Sequence, residues 1–203
     1  AAVPAQGHRT GTVVVPIPGD ATNEDDETFE VVLTNATNAT LGRARGAGTI
    51  VNDDPLPSIS IADVALSEGN TGVATATFAL TLPAPSGRAV TVGYATADGS
   101  ATAGSDYTAA SGTVSFVTGA TTANITVSVS GDSVMELDEA FLVNLSAPSN
   151  AALARAQATG TILNDEGLPA VSIGDASVTE GNSGTVNLTF AVTLSAASLN
   201  PVS

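Results

Sequence analysis

An all-β fold, built as antiparallel sandwiches in tandem, is what this 203-residue sequence predicts, on three observations. Apolar and polar residues alternate through most of the chain, β-branched residues are dense, and no segment shows a helical period. Gly, Pro, Asn and Asp break the alternation at short intervals. The whole pattern then returns 112 residues later: Gly19-Asp20 as Gly131-Asp132, Glu24, Asp26, Glu27 and Phe29 as Glu136, Asp138, Glu139 and Phe141, Glu68-Gly69-Asn70 as Glu180-Gly181-Asn182. A fixed period marks one structural unit stacked in a row.

The elements follow in order. Ser58-Ile59-Ser60-Ile61 alternates and opens the complete unit. Ala74 to Leu82 puts Ala76, Phe78, Leu80 and Leu82 on one face. Ala89 to Tyr94, Val114 to Phe116, Ile125 to Val129, Phe141 to Leu145 and Ala158 to Leu163 complete the set. Six or seven short strands in about 110 residues match a sandwich. Ala is frequent, but Thr and Val surround it and work against helix. Alternation sends Phe78, Phe116 and Phe141 to the core, and Tyr94 and Tyr107 are read as packing residues.

Residues 1–54 read as the C-terminal half of one repeat, 55–166 as a complete repeat, and 167–203 as the N-terminal part of a further one. The joints, Asn52 to Pro57 and Asn164 to Pro169, are short, and Pro fixes φ in each, so the units should form an end-to-end rod. The chain opens on Ala1 and reads as a window on a longer array. Half-sandwiches expose apolar faces and strand edges. The back strands of 1–54 and the front strands of 169–203 belong to the same fold, so copies could complete each other head to tail by strand complementation.

The net charge is −15, from 20 acids against 5 arginines without lysine. Nucleic acid and anionic membrane are poor partners for such a surface; cations are good ones. No apolar stretch approaches the ~20 residues of a spanning helix, so no membrane insertion is expected. Cysteine is absent, which removes disulfides, thiol nucleophiles and thiolate metal sites. The composition fits a bacterial extracellular or cell-surface protein.

The carboxylates of the complete unit come from four places: Glu68 in a turn, Asp106 in the loop Ala103 to Tyr107, Asp132, Glu136, Asp138 and Glu139 before the Phe141 strand, and Asn164, Asp165 and Glu166 after the last strand. Gathered at one tip they would repel, since two unit charges about 5 Å apart cost roughly 3 kcal/mol at an effective dielectric of about 20. A cation among them would relieve this. Calcium fits, being a hard ion that takes roughly 6–8 oxygens in flexible geometry. Zinc lacks its Cys and His ligands here.

Thr96 to Tyr107, Gly112 to Phe116, Glu136-Leu137-Asp138-Glu139-Ala140-Phe141 and Thr161-Ile162-Leu163-Asn164-Asp165 closely resemble the Calx-β motif. That family occurs in the regulatory calcium-binding domains of sodium–calcium exchangers and in many bacterial surface proteins. The resemblance implies tandem immunoglobulin-like antiparallel β-sandwiches, about seven strands per repeat, with calcium in the loops at one end. It carries the ligand role onto Glu68, Asp106, Asp132, Glu136, Glu139, Asp165 and Glu166. The first unit keeps Asp20, Glu24, Glu27, Asp53 and Asp54, and the third keeps Glu180. Gly131-Asp132-Ser133 stands where the exchangers have three consecutive acids, and Asn164 stands where an acid would be. These departures imply one or two ions per unit rather than four.

Catalysis finds little support. His8 is the only histidine and the complete unit has none, so no Ser-His-Asp set can form there. The paired carboxylates lie in loops with few aromatics to hold a sugar ring. The sequence therefore reads as a non-enzymatic, calcium-binding structural repeat of a rigid extracellular stalk or filament, with partners among calcium ions, neighbouring repeats and copies of itself. The alternatives are a calcium-sensing regulatory module and an accessory module of a larger surface enzyme.

Overall fold

The computed structural model describes residues 10–203; His8 lies outside them. Strands, turns and extended segments account for all of the described residues, and no helix forms among them. In the first unit β1 (Glu27–Val32) and β2 (Arg45–Ile50) pair as an antiparallel hairpin. The middle unit holds β3 (Ser58–Ile61), β4 (Val64–Ser67), β5 (Gly72–Thr81), β6 (Val90–Asp98), β7 (Ser111–Phe116), β8 (Thr122–Gly131), β9 (Glu139–Ser149), β10 (Ala152–Arg155) and β11 (Gln157–Leu163). In the third unit β12 (Val171–Ile173) pairs with β13 (Val192–Leu194).

The middle unit is a sandwich of two sheets, ordered β10-β3-β5-β8 and β4-β11-β9-β6-β7. Its inward faces are the alternating positions of the sequence. Ala76, Phe78 and Leu80 of β5, Ile125, Val127 and Val129 of β8, and Phe141 and Val143 of β9 are buried, while the residues between them, Thr77, Ala79, Thr126, Ser128 and Leu142, lie on the outward faces and are exposed or half-buried. The aromatic centre is compact: Phe78 meets Phe141 edge to face with centroids 5.9 Å apart, and Tyr107 stacks on Phe141 at 4.5 Å. Gly160 of β11 leaves room for these rings, since a Cβ there would lie 2.5 Å from Phe141 Cζ. Gly48 of β2 stands in the same relation to Phe29.

The strand count exceeds the six or seven expected, and the pairing is not wholly antiparallel. The first strand divides at Ala62-Asp63 into β3 and β4, which join different sheets. β3 runs parallel to β10, and β4 runs parallel to β11. Asp63 holds the crossing: its Oδ1 accepts from the Arg155 guanidinium and from the Thr159 amide at 2.8 Å. These bonds hold its carboxyl below the usual range, the Arg155 bond contributing most. The short strands β4 and β10 carry no clear alternation of their own and went unpredicted.

The flanking units expose what the middle one buries. Phe190 is 49% exposed where its repeat equivalent Phe78 is 0% exposed. Ile173, Val178, Leu188 and Val192 are exposed as well, as are Val32 and Leu33 in the first unit.

Candidate metal centre

One end of the middle sandwich collects carboxylates from four stretches of chain. The parallel pairing of β4 with β11 sets the first contact, because Leu163 lies opposite Ser67 and the two segments leave the sheet side by side. Glu68 follows β4, and Asp165 and Glu166 follow β11. Gly69 N–H donates to Asp165 Oδ1 at 3.1 Å, and Asn70 Nδ2 donates to Glu166 Oε1 at 2.9 Å. One carboxylate oxygen from each of Glu68, Asp165 and Glu166 lies within 4.8 Å of the other two. Glu68 is only 5% exposed, and Glu166 Oε2 is buried without a hydrogen-bond partner.

The loop between β8 and β9 adds Asp132 and Glu136, and the first residue of β9 adds Glu139. Asp132 closes a tight turn, its Oδ1 accepting from Val134 N at 2.6 Å. The loop between β6 and β7 adds Asp106, whose Oδ2 accepts from Thr102 N at 2.6 Å. Electrostatics ties the set together. Burial, then the charges of Glu136, Glu166, Asp132 and Asp165, push Glu68 up to about 7. Glu139 also rises to about 7, through burial and then the neighbouring Asp106 and Glu136. Glu136 is raised by burial and by Asp132, Asp106 and Glu166. Repulsion links the seven acids expected in this unit in a chain: Glu68 feels Glu136, Glu166, Asp132 and Asp165, while Asp106 acts on Glu136 and Glu139.

Two residues organise the group without joining it. Asn164 Oδ1 accepts from Glu136 N at 3.1 Å, its Nδ2 donates to Glu166 O at 3.0 Å, and its own N–H donates to Asp138 Oδ1 at 3.0 Å. Asn52 repeats all three bonds in the first unit, with Glu24 N at 3.1 Å, Asp54 O at 3.1 Å and Asp26 Oδ1 at 3.0 Å. An aspartate at 164 would lose the amide donor, so the asparagine is a scaffold rather than a weakened ligand. Its return at the same phase was the available signal. Asp98 was missed altogether: its Oδ1 accepts from Ala103 N at 2.9 Å and Tyr107 Oη at 2.7 Å, pinning the loop that carries Asp106. The Tyr107 bond, then the Ala103 amide, hold Asp98 below the usual carboxylate range. Burial pushes the Tyr107 hydroxyl up to about 12.

In the first unit Asp20, Glu24, Asp53 and Asp54 line one cleft. Glu24 is raised by desolvation first, then by Asp20, Glu27 and Asp54, which brings Glu27 into the same group. Glu180 stands apart from the other acids, in an exposed turn whose Gly181 has φ 75°, close to the 79° of Gly69. The donor set of the middle unit is oxygen alone, with a buried carboxylate and an orphaned oxygen. It fits a hard cation and not zinc.

Fold and site together define a class: an all-β chain whose complete sandwich gathers carboxylates at one end. A family model, the Calx-beta domain, matches residues 5–55 and 56–166. The chain belongs to the Calx-beta domain family. It is 29% identical over 192 residues to the adhesion G-protein coupled receptor V1 of Danio rerio, a match covering 82% of this chain and 3% of that receptor. The chain thus spans a small fraction of that relative. Among solved structures, the apo form of the Calx CBD1 domain is 27% identical, with TM-score 0.47 over 55% of this chain and 100% of that one. The two-domain CBD12 from CALX1.2 is 26% identical, with TM-score 0.49 over 54% of this chain and 44% of that one.

Proposed function

We propose that this chain is a calcium-binding structural repeat array, working as a rigid stalk or filament segment of an extracellular or cell-surface protein. The observation that carries the reading is Glu68, a buried carboxylate grouped with Asp165 and with Glu166, whose Oε2 is buried without a hydrogen-bond partner. Uncompensated, that arrangement is costly; a cation supplies the missing charge and ligation. Glu68, Asp132, Glu136, Asp165 and Glu166 are the ligands proposed for the middle unit, with Asp106 and Glu139 beside them. Asp20, Glu24, Glu27, Asp53 and Asp54 hold the corresponding part-site of the first unit, and Glu180 that of the third. Bound calcium neutralises the acids, orders the loops and stiffens the array.

Family membership supports the ion. The match to an adhesion receptor supports placement at a cell surface, and the acidic composition without lysine or cysteine favours a bacterial source. Residues 1–54, 55–166 and 167–203 are the proposed repeat boundaries. The apolar faces of the first and third units would be covered by adjoining repeats or by a second copy joined head to tail; a mass by light scattering equal to one chain at all concentrations would remove the second option. The role is non-catalytic, and the same array would also serve as an accessory module beside a surface enzyme.

The test is thermal unfolding in EDTA and in about 1–10 mM calcium, the range extracellular modules need, with magnesium as control. A calcium-specific rise in Tm is expected. Unchanged melting would make the acids solvated loop charges and the chain a passive spacer. One observation favours a sensor as second reading: Met135, between Asp132 and Glu136, bonds the third unit through its backbone. A sensor would bind at micromolar calcium and change the angle between units; a stalk would bind more weakly and only stiffen.

A further inference from the structure

The peptide bond between Asp54 and Pro55 lies at the first joint, and two side chains hold its carbonyl. Asn23 Nδ2 donates to Asp54 O at 2.7 Å, and Asn52 Nδ2 donates to the same oxygen at 3.1 Å. The two amides come from different stretches of chain, one before β1 and one after β2. The middle unit seats Asn23. Gly87 N–H donates to Asn23 O at 3.0 Å, and Asn23 forms a parallel bridge with Ser86, both in or beside the loop after β5. Asn23 is only 7% exposed, and its Oδ1 is buried without a hydrogen-bond partner. A buried asparagine that orphans its own oxygen costs stability, so the bond made by its amide calls for a reason.

The chemistry open to this aspartate supplies one. The Asp54 carboxylate reaches its own carbonyl carbon by rotation about Cα–Cβ, closing a succinic anhydride ring. Pro55 has no N–H, so the competing succinimide, formed when the next amide nitrogen attacks the side chain, is closed here. Attack on the carbonyl carbon puts negative charge on Asp54 O, the atom the two amides already hold. One preorganised donor at such an oxygen is worth about 10²–10³ in rate. The second joint lacks the same parts. Glu166 stands in place of Asp54, Gly167 in place of Pro55 and Met135 in place of Asn23. Glu166 O keeps the Asn164 amide at 3.0 Å, and Met135 has no amide to add.

We propose that the Asp54–Pro55 bond is a self-cleavage site, with the Asp54 carboxylate as nucleophile and the Asn23 and Asn52 amides as its oxyanion hole. A carboxylate oxygen bonds to the Asp54 carbonyl carbon. The bond from that carbon to Pro55 N breaks as the nitrogen takes a proton from water. The hydroxide left behind opens the anhydride, giving back the side-chain carboxyl and a new α-carboxyl. One water is consumed, and nothing is oxidised or reduced. The event happens once per chain and does not make the chain an enzyme. It needs no cation, so it stands or falls separately from the calcium reading.

The test is intact mass spectrometry of the whole chain kept in EDTA, beside the same chain unfolded in guanidinium chloride. Fragments 1–54 and 55–203, together one water heavier than the parent, should form at least about tenfold faster in the folded chain. Equal or slower cleavage of the folded chain would overturn the proposal, as would a cut between Glu166 and Gly167 at the same rate. In water labelled with heavy oxygen, the label should divide between the two carboxyls of Asp54, the mark of the anhydride. Label confined to the α-carboxyl means direct hydrolysis and would overturn the mechanism. Asp54→Ala should abolish the cut. Asn23→Met, which copies the second joint, should slow it about tenfold or more; an unchanged rate would overturn the oxyanion hole. The folded-to-unfolded comparison uses no variant, and decides the matter should one misfold.

Discussion

Asp138 accepts a hydrogen bond from the backbone amide of Asn164 at 3.0 Å, and Asp26 accepts the same bond from Asn52 at 3.0 Å. Asp138 lies just before β9 and Asn164 just after β11, so the bond ties the start of one strand to the end of the other. The asparagine then spends its side chain on Glu136 N and Glu166 O. Removing it should loosen both acidic segments. Asn164→Ala is expected to cost about 1–3 kcal/mol, the cost of leaving buried polar groups unpaired. Urea unfolding in EDTA measures it. Asn164→Asp should not rescue the loss, because the lost donor is the amide and the added charge joins a repelling group.

Glu68→Gln should act in opposite directions with and without the ion. In EDTA at pH 8 it removes a buried charge facing Glu136, Glu166, Asp132 and Asp165, and stability should rise by on the order of 2 kcal/mol. With calcium the same change removes a ligand, and the calcium-induced rise in Tm should shrink. Two melting curves per variant decide the matter; destabilisation in EDTA would contradict the repulsion.

The pH dependence follows from Glu68 and Glu139, both pushed up to about 7 from an ordinary 4.5. Between those values the folded chain holds protons that the unfolded chain has released. The ion-free protein should therefore lose stability as pH rises from about 4.5 to 7. The depressed Asp63 and Asp98 work the other way, but below an ordinary value of 3.8 and so outside this window. Saturating calcium should flatten the decline, and its binding should release protons near pH 6. Denaturant midpoints across pH, with and without EDTA, check both.

Calcium at about 10 mM should stabilise the middle unit by roughly 1.4–2.7 kcal/mol per site, if the dissociation constant lies in the 10⁻⁴–10⁻³ M range of extracellular modules. Titration calorimetry gives the constant and the number of ions directly.

The glycines opposite the aromatic rings should respond unequally. Gly160→Ala forces a methyl to within 2.5 Å of Phe141 in a closed core, and should cost about 1–3 kcal/mol. Gly48→Ala meets Phe29 as closely, but that ring is only half-buried and can move aside. Its cost should stay below about 1 kcal/mol.

Much of the middle unit was legible because strand period and repeat phase are local signals. Alternation put Phe78, Phe116 and Phe141 in the core, and the repeat marked the acids that the loops bring together. Glu68 shows the limit. Nothing near it in sequence says that it alone of these acids is buried; that follows from Asp165 and Glu166, which bond its neighbours Gly69 and Asn70 across 96 residues of chain. Asp63 is similar, since splitting the first strand depends on Arg155 and Thr159. Ser86 and Asn23 gave no sign of a joint, because each reads as an ordinary loop residue until the other is placed beside it.

The parallel pairing of β4 with β11 bears on how the middle repeat responds to tension. Val64 to Ser67 lie beside Gly160 to Leu163, near the points where the chain enters and leaves the unit. A pull on those two points drags the strands past each other along their length. All of the paired positions are then strained together, whereas a hairpin pulled from its open end parts one bond at a time. A repeat joined this way is expected to resist stretching along the chain better than a hairpin with as many paired positions.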